Sequence, residues 1–305
     1  MSWVFFAGLG YFLSALSVLG DKLILGKVLP RPAAYAFWQG ILSLGVLIFV
    51  PFGFSMLPRG EIGMSFLSGA LFLYGLFFFF YALKAADASR VQPIILGLTP
   101  LLLFGLEHYG LGTVFSRNEI IAAILLISGS VVLSLDFEKK EKVGYRKFIF
   151  YSLAAALLFA FSLFLMKQLF LKESFFNVLI WTRLGLFLGA VSLLFFPRSR
   201  DSIFSSSGVI KRPKASGGIV ANKLFGAIGA LFLSFALSRG PAALVNALQG
   251  LQYTFLFVLA ILLSVFLPGT IKESFTPKAL LQKILGMILI SLGLYFLTYF
   301  GNGAA

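Results

Sequence analysis

Asn246, Gln249 and Tyr253 stand three and four residues apart inside the apolar run ALVNALQGLQYTFLFVLA. On a helix that spacing makes one stripe, and Gly250 thins the wall beside it. Amides and phenols donate and accept hydrogen bonds without carrying charge, so the chemistry they offer is recognition rather than bond making. Gln92 and Thr99, seven residues apart in an earlier apolar run, form a second stripe of the same kind. The competing reading of both is that amides and hydroxyls only hold helices together. Two charges could add to such a site. Arg183 interrupts another apolar run and must snorkel, pair or meet an anionic group of a substrate. Asp21 shares a helical face with Ser14 and Ser17 and is a candidate for ion coupling, or a solvated interfacial residue beside Lys22. Ser162 repeats Ser17 in the second half of the chain. Tyr74 and Tyr81, seven apart, could line a pocket with rings, although 37 phenylalanines make an aromatic stripe the background expectation.

Bond-making chemistry finds no comparable set. The single histidine, His108, lies beside Glu107 at the expected outer end of a helix, and the other acidic residues, 11 in all with Glu107, are dispersed mostly among loops. Without cysteine there is no disulfide, thiolate metal site or cysteine nucleophile. No acid, base, nucleophile or metal cluster is in view, so the chain is not expected to be an enzyme, and no cofactor or metal is expected.

The elements that would position these residues are membrane spans. Mean hydropathy is +0.98, 59% of residues are hydrophobic and 12% are charged, whereas soluble domains carry about 25% charged residues. The expected fold class is therefore an all-α integral membrane protein. Ten segments approach the roughly 20 residues that cross a bilayer. They fall near 3–24, 33–52, 63–84, 90–108, 118–136, 147–170, 176–197, 219–238, 242–267 and 279–300. Trp3 to Leu19 lacks a basic leader and a small-residue cleavage site, so it is expected to be a retained helix. The loop PRSRDSIFSSSGVIKRPKASGG is the longest and is expected to be mobile and solvated. Pro93 and Pro100 in the fourth span and Pro241 before the ninth weaken backbone hydrogen bonding there, and Gly97 adds flexibility. Gly185 and Gly189 have the GxxxG spacing of close helix packing.

The spans repeat. At an offset of 154, Ala82 falls on Ala236, Leu83 on Leu237, Ala88 on Ala242 and Val91 on Val245, and the polar residues follow: Gln92 on Asn246, Thr99 on Tyr253. Near the start of each half the offset is 145, pairing Ser17 with Ser162, Lys22 with Lys167 and Gly40 with Gly185. Residues 1–138 form the first five-helix repeat, 139–146 a charged linker and 147–305 the second repeat. With five helices per half, the second enters the membrane from the opposite side, giving two inverted five-helix repeats (5+5) with ten transmembrane helices. The loops after odd-numbered spans hold 19 of the 25 basic residues, which puts both termini outside. The formal charge of +14 lies in short loops. There it reads as an orientation signal and as contact with anionic lipid, not nucleic acid.

In this arrangement the chain resembles the drug/metabolite transporter superfamily, and within it the EamA-type members. The resemblance is carried by FYALKAADASRVQPIILGLTPLL with its fourth-helix proline at Pro100, by EIIAAILLISGSVVLSL from Glu119, and by LQKILGMILISLGLYFL from Leu281. The chain departs from the family at the glutamate often found about thirteen residues after that proline, where Gly112 and Thr113 stand. It departs again at the ninth-helix proline, replaced by Thr254. What the resemblance implies is a carrier of small metabolites working by alternating access in a cell membrane, plasma or inner.

The resulting expectation is a multi-pass transporter moving a small amino-acid-like metabolite, neutral, zwitterionic or weakly anionic. Its substrate would sit in a central pocket between the fourth and ninth helices, lined by Gln92, Thr99, Asn246, Gln249 and Tyr253. A lipid or lipid-linked carrier, or an integral-membrane enzyme acting on lipid, is the alternative. Expected partners are the substrate and the bilayer, the chain being a monomer or homodimer.

Overall fold

The computed structural model describes residues 2–25, 31–85, 88–135, 145–206, 216–266 and 277–300. Among the described residues there is no strand, and nine helices are long and apolar enough to cross a membrane. Leu224–Arg239 is a shorter apolar helical segment. The helices in order are α1 (Ser2–Leu25), α2 (Pro32–Leu42, continued by a 3-10 stretch, Ser43–Phe52), α3 (Arg59–Ala85), α4 (Ala88–Leu111), α5 (Arg117–Ser134) and α6 (Tyr145–Phe170). There follow α7 (Phe175–Ser192), the short α8 (Pro197–Ser206), α9 (Ser216–Arg239), α10 (Ala242–Ala247), α11 (Gly250–Phe266) and α12 (Pro277–Tyr295). Large apolar side chains stay exposed along the long helices, among them Leu101, Phe150, Phe161, Leu188 and Ile288. Such a surface suits lipid rather than water.

Local chemistry sets the helix ends. Pro32 opens α2, a position where its missing N–H loses nothing. Ser116 and Glu119 form a capping box at the start of α5, the Ser116 hydroxyl accepting from the Glu119 amide and the Glu119 carboxylate from the Ser116 amide. Gly112, at φ 67°, follows the last residue of α4 in the left-handed conformation that glycine adopts freely.

The chain forms two compact units that interleave its sequence halves: residues 1–28, 113–141 and 212–305 in one, 29–112 and 142–211 in the other. The first holds α1, α5 and α9 to α12; the second holds α2, α3, α4 and α6 to α8. In the second unit α3 packs along α6 and α7, and α4 packs on α6. The approach of α3 and α7 is close. A Cβ on Gly185 would lie 2.6 Å from Phe66 Cα, and one on Gly69 would meet the Thr182 carbonyl oxygen and the Leu186 amide. The Gly185–Gly189 pair thus marks a packing seam, as its spacing implies. In the first unit α1 packs along α9 and on α11, and α5 along α12. There Gln282 donates to the carbonyls of Val132 and Leu135 (2.6 and 2.7 Å), tying the start of α12 to the end of α5.

The long loop after the seventh span is corrected over its first part. Residues Pro197–Ser206 are helical, not solvated coil. The proline opens the helix, and Ile203 is buried with Ala34, Ala36, Leu186, Ala190 and Leu193. Burial of one isoleucine face is what the serine-rich composition concealed. The Arg31 guanidinium also bonds the Ser205 hydroxyl there.

Candidate functional site

The ninth span is broken at its polar stripe. α10 ends at Ala247 and α11 starts at Gly250, with Leu248 and Gln249 in a turn. Over this stretch the backbone tightens to the i→i−3 pattern: Gln249 N–H donates to Asn246 O (3.0 Å), Leu251 N–H to Leu248 O (2.9 Å) and Gln252 N–H to Gln249 O (3.1 Å). The Val245 carbonyl, which a regular helix would pair with the Gln249 amide, instead receives the Tyr11 hydroxyl of α1 at 2.9 Å. On the other flank Gly250 permits the close approach of α5, since a Cβ there would meet the Ser130 hydroxyl.

Around the break lie groups with unused hydrogen-bonding capacity. Asn246 Oδ1 is buried and accepts no hydrogen bond among the described residues. Gln249 and Tyr253 are half-buried, and the Tyr253 hydroxyl is an electrostatic neighbour of Tyr11, itself 5% exposed. A buried amide oxygen without a donor is costly; one beside a broken helix in a membrane span is poised for a ligand's N–H or O–H. Tyr11 is the residue that sequence reasoning missed. Its only signal is its place on α1, one turn before Ser14.

In the other unit, α4 runs unbroken through Pro93 and Pro100. Thr99 is 2% exposed and its Oγ1 has no partner among the described residues, while Gln92 is half-buried. One turn before the end of α4, Glu107 is completely buried and acts electrostatically on Lys167 of α6, which is 8% exposed. The sequence placed Glu107 at a helix end and Lys167 only as the repeat partner of Lys22. The structure puts both charges inside.

The remaining candidates have structural surroundings. Ser162 and Ser68 exchange hydrogen bonds between α6 and α3, each hydroxyl donating to the other's carbonyl (2.8 and 2.9 Å). Ser17 packs over Gly226 of α9, its Oγ 2.8 Å from where a Cβ would be. Tyr74 and Ser192 hydroxyls are 2.7 Å apart. Tyr81 packs against Phe77 and Tyr151 and feels the charge of Arg198. Arg183 is half-buried on α7; its carbonyl accepts from Ser43 (3.2 Å), and no carboxylate of the described residues acts on its guanidinium. The Asp21 side chain lies outside the described residues, although its backbone belongs to α1. Trp181 stacks on Phe54 and donates to the Ser55 carbonyl (3.0 Å), and Asn177 bonds the same serine. Beyond α6, the Glu173 carboxyl is held above the usual carboxylate range, chiefly because it hydrogen-bonds the Glu61 carboxyl. Among the described residues no group of three or more His, Cys, Asp or Glu could hold a metal ion.

No family model matches the chain, and no curated protein matches it. Its architecture does match solved structures. One, described as "Crystal structure of protein", superposes with a TM-score of 0.70 at 18% identity, over 98% of this chain and 97% of that one. The chain therefore shares its helical fold with a solved protein, and at that identity the likeness speaks for the fold alone.

Proposed function

We propose that the chain is a membrane transporter that binds a small metabolite at the broken ninth span and exposes it to the two sides of the membrane in turn. Asn246, Gln249 and Tyr253 bind the substrate; Gln92 and Thr99 are the residues of α4, in the other unit, that correspond to Asn246 and Tyr253 in the sequence repeat. The observation that carries this reading is the break at Leu248–Gln249, coincident with the unpartnered Asn246 Oδ1. Discontinuous spans with freed backbone groups are how transporters build binding sites at membrane depth. The uncharged character of these side chains suits an amino-acid-like, neutral, zwitterionic or weakly anionic ligand.

Two recurring pairs support an inverted EamA-type repeat. The third span packs on the sixth in one unit, and the first span on the eighth in the other, α3 with α6 and α1 with α9. An exchange of sequence halves turns each of these pairs into the other. The test of the site is a thermal-shift screen of the purified chain against amino acids, amines, nucleosides and sugar phosphates. One class should raise the melting temperature of the wild type and fail to do so in Asn246→Ala. A ligand that stabilises both equally binds elsewhere and sinks the assignment.

A further inference from the structure

The charges shared by α4 and α6 are unexplained by an uncharged site. Glu107 is wholly buried and Lys167 nearly so, each about one turn from the end of a membrane-spanning helix. A free lysine that close to a helix end reaches the interface with its ammonium; Lys167 stays inside, beside Glu107. Desolvating such a pair costs several kcal/mol per ion, and apolar residues would hold two helices together as well. An ionisable pair retained inside a membrane bundle points to function. Its place on α4 says which function. Gln92, Thr99, Leu103 and Glu107 follow one another at spacings of seven, four and four residues, along one face. The pair therefore ends the stripe that carries the unpartnered Thr99 hydroxyl.

We propose that Lys167 is an anion-binding group and Glu107 its resident counter-ion, so that a small monocarboxylate binds Lys167 only together with a proton taken up by Glu107. This rests on the transporter reading and adds to it a proton-linked anion site on α4 and α6, argued within their own unit. In the empty site the Glu107 carboxylate and the Lys167 ammonium sum to zero charge. A substrate carboxylate alone would leave a net negative charge in a low-dielectric site and would face Glu107. One proton on a Glu107 carboxylate oxygen restores the balance, and the Lys167 ammonium then pairs with the substrate. Linkage of one proton to one anion strengthens binding as pH falls, by up to about tenfold per pH unit. Lys167 is the charged group acting from α6, whose other ionisable residues, Tyr145, Arg146, Lys147 and Tyr151, lie in its first half; His108 is the titratable chain neighbour. The ionisable residues of α3, which also packs on α4, are Arg59, Glu61 and Lys84 near that helix's ends and Tyr74 and Tyr81 between them, and α7, which packs on α6, carries Arg183.

The test is benzoate binding to the purified full chain, read from the melting temperature between about pH 6 and 8, where a carboxylate probe stays ionised, against chloride at equal ionic strength. In the wild type the benzoate dissociation constant should fall by several-fold or more from pH 8 to pH 6. His108→Gln should keep that dependence. Glu107→Gln should bind at pH 8 as tightly as the wild type does at pH 6, with no further pH dependence, and Lys167→Met should not respond. Benzoate binding that is absent or independent of pH in the wild type overturns the proposal without recourse to any variant. So does a pH dependence that disappears in His108→Gln, or a Glu107→Gln protein with no gain at pH 8. Proton-linked benzoate binding in a chain that moves no substrate across a vesicle membrane would instead count against the transporter reading alone.

Discussion

The two units are built on the same kind of helix pair and spend it differently. In one, α1 lies along α9; in the other, α6 lies along α3, with Ser17 and Ser162 at matched positions on the seams. The unit of α1 then breaks its ninth span and leaves a neutral amide oxygen unsatisfied. The other keeps α4 whole through two prolines and buries a glutamate beside a lysine. Proline is thus not what opens a helix here. At the break the Tyr11 hydroxyl takes the Val245 carbonyl, and Gly250 lets Ser130 of α5 come close. Similar helix packing occurs in both units, and the polar chemistry differs between them.

The sharpest break in the comparison is steric. Gly69→Ala, in the second unit, drives a Cβ into the backbone of α7, whereas Gly250→Ala, in the first, meets a serine side chain that can turn. Overpacking costs typically about 1–3 kcal/mol and more where backbone must move. Gly69→Ala should therefore lower the melting temperature well beyond Gly250→Ala. Equal losses would mean that the α3–α7 seam has more slack than its geometry allows.

Next comes the hydroxyl that holds the break. Tyr11→Phe removes the donor to Val245 and should cost about 1 kcal/mol of stability, and it should also weaken substrate binding, since the freed carbonyl can re-form a regular turn. A purely structural tyrosine would lose stability with substrate affinity unchanged. Smaller still is Ser162→Ala, which removes one of two reciprocal bonds between α6 and α3. Hydrogen bonds between membrane helices average about 0.6 kcal/mol, so a loss of that order with normal transport is expected, and loss of transport would return Ser162 to the binding site.

The weakest effect lies at the membrane face. Because the folded-state pKa of Glu173 is raised, its contribution is present below the ordinary carboxylate pKa of 4.5 and is lost as pH rises through the raised value. Melting temperatures of the wild type should decline slightly as pH rises above 4.5, and Glu173→Gln should flatten that slope. An unchanged slope would show that the contact with Glu61 does not raise the Glu173 carboxyl's pKa.

Much of this was legible in the chain. Apolar length placed the spans, because burial in lipid leaves each helix a continuous run, and small residues at i and i+4 marked the α7 seam. The polar stripe of Asn246, Gln249 and Tyr253 followed from helical spacing. What could not be read were features created by contacts distant in sequence. Nothing near Leu248 announces a break, and the groups that meet it come from α1 and α5. Glu107 looked terminal because the helix was expected to end at residue 108; it continues to Leu111, where Gly112 turns it, and Glu107 is wholly buried on a helix that packs on α6. The short α8 was hidden because its single buried isoleucine is a weak signal in a serine-rich stretch.

The central claim is that the broken ninth span binds the transported molecule. Its most direct test is uptake into vesicles reconstituted with the wild type, Asn246→Ala and Gln249→Ala, using the ligand class that stabilises the purified protein. The account predicts uptake by the wild type and a loss of about tenfold or more in each variant, corresponding to one lost hydrogen bond of about 1.4 kcal/mol, with melting temperatures close to the wild type. Undiminished uptake in both variants would contradict it.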